Sequence, residues 1–130
     1  MKLEGWESRL FKKLDTTQPF KWGENDCCLF AADCLIEIYG VDFAEEFRGY
    51  KTAAGAYKRL AKAGGLYAVL DSKFGPSINP KLAKRGAVVS FFVGEEVALG
   101  VHIGDKIAAV SEKGLIFLPM EVVDKAWQKS

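Results

Sequence analysis

At 130 residues, with 49% hydrophobic and 27% charged side chains, the chain has the composition of one globular domain spanning 1–130; neither a disordered chain nor two full domains fit. Its 18 Lys and Arg against 17 Asp and Glu leave a formal charge of +1, too weak a field to draw phosphate backbones or anionic lipid, so no nucleic-acid partner is expected. Three Cys, two of them adjacent, and a single His match no common zinc spacing, fall short of an Fe–S ligand set and give no disulfide framework, so neither a metal nor a cofactor is expected.

Near the N-terminus Glu4, Glu7 and Arg9 interrupt any apolar leader, and no later run approaches the roughly 20 apolar residues of a membrane span. No membrane span is expected, and the chain is expected to be made in the cytoplasm. Leu3, Trp6, Leu10, Phe11 and Leu14 share one face of a predicted first helix that ends before Thr16, Thr17 and Pro19. The turn-rich segment PFKWGEND follows. A second helix is predicted from about Asp26, because Cys27, Phe30, Ala31, Cys34, Leu35 and Ile38 recur at helical spacing and Gly40 supplies a stop. Thr52 can cap a third helix through about Lys62, and a shorter fourth is predicted from Leu66 to Phe74.

Past Gly75, Pro76 and Pro80 the pattern changes. Residues Ala87 to Val93, Val97 to Ile103, Lys106 to Val110 and Leu115 to Leu118 are β-favouring runs separated by Gly94, Gly104 and Gly114, as in an antiparallel meander. Pro119 suits the first turn of a predicted terminal helix carrying Val122, Val123, Ala126 and Trp127. Helices first and consecutive strands second predict an α+β domain, with N-terminal helices packed on a C-terminal antiparallel sheet.

The chemistry lies at the start of the second helix. A cysteine in a first turn feels the positive end of the helix dipole and the unpaired N–H groups there, which favour its thiolate. Cys27 fits a nucleophile on that ground. It also fits a packing thiol, seven residues from Cys34 on the apolar face. Cys28, about 100° round the helix, is a candidate redox-active thiol. Trp22 can line a cleft or cap the core, the loop of Arg48, Gly49 and Tyr50 can touch a ligand or stay solvated, and Glu45 and Glu46 read as a solvated face.

The stretch PFKWGENDCCLFAAD resembles the Trp-Gly then Asp-Cys signature of the NlpC-type cell-wall peptidases, a bacterial and phage branch of the papain-like cysteine peptidases. The resemblance implies a papain-like fold with Cys27 as nucleophile, Asp26 before it, and a substrate cleft bordered by Trp22, Gly23, Asp26, Cys28 and Ala98. Cys28 and Leu29 replace the family's Ser-Gly pair. RGAVVSFF is similar to the family's Gly-Asp strand, with Ala87 where Asp is usual, and ALGVHIG resembles the strand that carries the catalytic histidine.

Aligned on Gly100 and Gly104, that strand puts Ala98 at the histidine position, and the third polar residue falls near Ala108 or Ala109. His102 lies four residues beyond Ala98, on the same strand face but roughly 13 Å away. A nucleophile and its base stand within about 3 Å. The chain is most similar to small phage and prophage proteins that share the Trp-Gly-x-x-Asp-Cys-Cys pattern and a terminal run like GLIFLP at 114–119. That likeness implies a tail-tip or tail-assembly protein with decayed catalysis, located in the virion tail, its partners being other tail or baseplate proteins. Two further readings stay open: an active hydrolase of peptidoglycan stem peptides, with Cys27 as nucleophile and His102 as base in a shifted register, and a module that binds such peptides without turnover.

Overall fold

The computed structural model describes residues 1–129. Four helices come first: α1 (Trp6–Asp15), α2 (Cys27–Tyr39), α3 (Ala53–Lys62) and α4 (Leu66–Phe74). Five strands follow: β1 (Val88–Val93), β2 (Glu96–His102), β3 (Lys106–Ser111), β4 (Gly114–Pro119) and β5 (Lys125–Trp127). They form one antiparallel sheet in the order β4-β3-β2-β1-β5, so the domain is α+β as expected.

The start and stop of α2 set the geometry of everything around it. Asp26 caps its first turn, Oδ1 accepting the Leu29 N–H at 3.0 Å, and Gly40 ends it in a left-handed conformation with φ 73° that glycine adopts without strain. Between those ends the helix is buried almost all round, because it lies across β2 and β3 with α1 on its outer side. Phe30, Cys34, Leu35 and Ile38 meet Leu99 and Val101 of β2 and Ala108 and Val110 of β3 in the main core.

The opposite sheet face carries Val89, Phe91, Ile107, Ala109 and Ala126, covered by Ile78, Ala83, Met120 and Val123 from irregular segments. A third, small cluster of Leu29, Tyr50 and Ala56, with Trp22 against it, joins α3 to the start of α2. Gly100 is required where β2 meets β3, since a Cβ there would come within 2.7 Å of the Ala108 carbonyl oxygen.

Two expectations are corrected. The residues after Pro119 do not form a helix: a single 3₁₀ turn at Met120–Val122 leads into β5, which pairs Val88 with Trp127 and Ser90 with Lys125. Strand β1 has a free edge there, and the extended conformation satisfies it while burying Trp127, whose indole N–H donates to Asp71 Oδ1 at 2.8 Å. Phe11 does not belong to the buried stripe of α1. Leu10 and Leu14 face α2, and Phe11, a further 100° round the helix, stands 49% exposed.

Candidate active site

Asp26 organises the site before any chemistry is considered. It is buried, and while Oδ1 caps α2, Oδ2 accepts the Gly23 N–H at 3.1 Å and the Tyr50 hydroxyl. One carboxylate thus ties the Trp-Gly turn, the loop after α2 and the helix start to a single point. The same contact explains Gly23. Its φ is +79°, and a Cβ would sit 2.1 Å from the Tyr50 carbonyl oxygen, so no other residue fits this turn. Burial first, and then the bond to Asp26, raises the Tyr50 phenol well above its ordinary range, so it stays a donor.

Cys27 is the first residue of α2, and Cys28 is beside it with the sulfurs 3.9 Å apart. The Cys27 thiol is held below the ordinary range, chiefly by the Cys28 thiol, with help from the backbone N–H groups of Leu99 and Cys28; burial and the charge of Asp26 oppose this. Cys28 is pushed well above the ordinary range, first by its bond to Cys27 and then by burial. Of the two thiols, Cys27 is therefore the one that ionises more readily. The helix dipole favours the same arrangement. Cys34, deep in the core, is pushed up to about 12 by burial and is an inert packing thiol.

The sulfur pair opens on a cleft of about 1120 Å³. Cys27 and Leu99 line it, as do Trp22, Asp26, Cys28 and Ala98, so four of the five residues expected around Cys27 are brought together, and the fifth, Gly23, is held beside them by its bond to Asp26. Trp22 stands edge-on to Phe20 at 5.0 Å and to Tyr57 at 6.0 Å. Ala98 lines the cleft as well but packs on the opposite-face cluster, whereas its neighbour Leu99 faces α2.

His102 is not part of that wall. It is buried at the far end of β2, where its Nδ1 accepts the Gly104 N–H at 3.1 Å, and burial and then the Lys2 charge lower its pKa. Ala108 and Ala109 are buried and offer no polar group.

Two further residues of the cleft carry no signal in the sequence pattern. The Tyr57 hydroxyl on α3 lies 3.5 Å from Glu96 Oε2 at the start of β2, and burial, followed by the charges of Glu96 and Cys27, raises the phenol. Each comes from a segment distant in the chain, which local spacing cannot reveal.

The loop of Arg48, Gly49 and Tyr50 is fastened rather than free. Arg48 bonds Asp42 and Asp33, both at 2.7 Å, and Arg59 donates to the Arg48 carbonyl. Glu46 pairs with Lys73 of α4 at 2.6 Å, and Lys73 is itself part of the cleft lining. Among the described residues no three His, Cys, Asp or Glu side chains gather into a metal-binding cluster. Among the described residues no helix is long and apolar enough to cross a membrane.

The family model described as a domain of unknown function, DUF6950, matches residues 1–129. No curated protein matches the chain.

Proposed function

Since the chain belongs to the DUF6950 family, whose description carries no activity, we propose a function from the site itself: a papain-like, NlpC-type domain that keeps its nucleophile and lacks its hydrolytic base. The observation that carries this reading is Cys27 at a helix start on the wall of a cleft, with Ala98 on the neighbouring strand where the resemblance calls for histidine. Asp26 before it, the Trp22-Gly23 turn and the antiparallel sheet beside the helix are the frame such a peptidase uses. General base catalysis contributes on the order of 10²–10⁴-fold, so a site without it retains binding and loses turnover.

In this reading the protein is a tail-tip or tail-assembly component of a phage-type particle, made in the cytoplasm and carried in the tail. Its partners are other tail or baseplate proteins. The support is the resemblance of residues 19–34 and 114–119 to proteins of that kind, beside a site unsuited to hydrolysis.

The test is incubation of the purified protein with peptidoglycan stem peptides, followed by mass spectrometry, alongside peptide analysis of assembled tails. No cleavage and presence in tails are expected. Cleavage that is lost in Cys27→Ala overturns the reading in favour of an active cysteine endopeptidase. That second reading has one observation behind it, a cleft-lining cysteine at a helix start whose thiol pKa is lowered rather than raised as that of the buried Cys34 is.

A further inference from the structure

The walls of the cleft are apolar for most of their length. Beyond the sulfurs it runs between α2, α3 and α4 past Phe43, Leu60, Leu66, Val69 and Phe74; of its charged residues, Asp26 is taken up by the start of α2 and Lys73 by Glu46, and Glu96, Glu112 and Lys113 belong to the sheet side. Cell-wall stem peptides carry several charges that such walls leave unpaired, which makes them poor occupants. An unbranched acyl chain makes no such demand. The volume of about 1120 Å³ lies just above the roughly 300–1,000 Å³ usual for small-molecule sites.

The chemistry at the mouth selects the same class of ligand. Cysteine acyl transfer has two halves, and they differ in what they need. Attack of a thiolate on a thioester requires no base, because the nucleophile is already ionised and the leaving group departs as a thiolate. Release of the acyl group to water requires a base to deprotonate that water. Cys27, in the first turn of α2 on the cleft wall and with its thiol pKa lowered, suits the first half, and the cleft holds no imidazole for the second.

We infer that Cys27 is an acyl acceptor, taking a medium- or long-chain acyl group from a thioester donor, seating the chain in the apolar cleft and holding it as a lasting thioester. This rests on the reading of the site as a nucleophile without a base. The Cys27 sulfur forms a bond to the donor's carbonyl carbon while the bond from that carbon to the donor sulfur breaks. The donor sulfur leaves with the electron pair and takes a proton from solvent. Nothing is oxidised or reduced. As the charge leaves Cys27, the Leu99 and Cys28 N–H groups that held it are released to the carbonyl oxygen.

The experiment incubates the full chain with acetyl-, octanoyl- and palmitoyl-coenzyme A, following intact mass and free acid. One octanoyl or palmitoyl group per chain is expected, removed by neutral hydroxylamine, absent in Cys27→Ser and kept in Cys34→Ala. It should form at least about tenfold faster than the acetyl adduct, since burial of about two methylenes already gives that factor. Ala61→Trp, at an exposed position on the α3 wall, should slow the long chains and leave acetyl unchanged.

Equal rates for acetyl and long chains overturn the acyl site and leave the nucleophile reading standing. Release of free acid in step with adduct formation overturns the inference and the base-less reading together. If no adduct forms although iodoacetamide still alkylates Cys27 at pH 6.5, the inference alone falls; if Cys27 resists both reagents, both fall.

Discussion

Each Asp26 oxygen holds a different neighbour, and the position of Cys27 is a consequence of those bonds rather than of the cysteine itself. Gly23→Ala puts a methyl group against the Tyr50 carbonyl and a side chain at positive φ, so urea unfolding should show a loss of about 2–4 kcal/mol. A second expectation concerns protons. Thiolate reactivity rises with pH through the thiol's pKa, and that of Cys27 is lowered, so its alkylation by iodoacetamide should rise at a lower pH than that of an ordinary exposed cysteine. Cys28→Ala removes the largest cause. Its alkylation profile should move to higher pH, with the rate at pH 6.5 falling about five- to tenfold, the factor carried by a hydrogen bond of about 1–1.5 kcal/mol, and the two profiles meeting again at high pH. The Asp-Cys order and the Trp-Gly turn were legible in the sequence because local geometry requires them. The Tyr50 hydroxyl on Asp26 and the Leu99 N–H on Cys27 were not, since both join segments far apart in the chain and one is a backbone group that no side-chain pattern marks.

Among the elements, the helices and the first four strands follow from spacing, caps and glycines, and the fifth strand does not. Val122, Val123 and Ala126 recur at intervals that fit a helix, and a three-residue strand is too short to display alternation. What decides its form is tertiary: Ser90 on β1 offers both its carbonyl and its hydroxyl to the passing chain, accepting the Asp124 and Lys125 N–H groups. Trp127 then fills the core beside Tyr67, their ring centroids 5.4 Å apart. Trp127→Ala empties that place and strands the Asp71 bond, so a loss of about 3–5 kcal/mol is expected by denaturant unfolding. Trp127→Phe, which keeps most of the volume, should cost clearly less. A variant at Phe11, exposed on α1, should leave stability within about 0.5 kcal/mol, which separates the buried stripe from the residue that only resembles part of it.

At the scale of the whole molecule, Cys27 on the helical half and β2 of the sheet half line one cleft, which lies where the two halves meet. Ala98→His would place an imidazole on β2 beside Leu99, where the proposed reading lacks a base. Such a variant should gain Cys27-dependent hydrolysis of an activated ester, with the rate falling as pH drops below about 6.5 and the imidazole protonates. No gain over the parent, with the variant folded by circular dichroism, would show that position 98 does not stand where a base can act. The α+β class was legible from the order of helices and strands, whereas the cleft was not, because its walls come from α2, α3, α4 and the sheet, which only the tertiary fold assembles. The sheet order also has a kinetic side. Strands β1 to β4 meet their partners through neighbouring hairpins, but β5 must return to β1 across the entire meander, and long-range closures of this kind come late in folding. Until it arrives, β1 presents Val88, Val89 and Ser90 as an unguarded edge, so a chain caught at that stage is the one prone to pair with another of its kind.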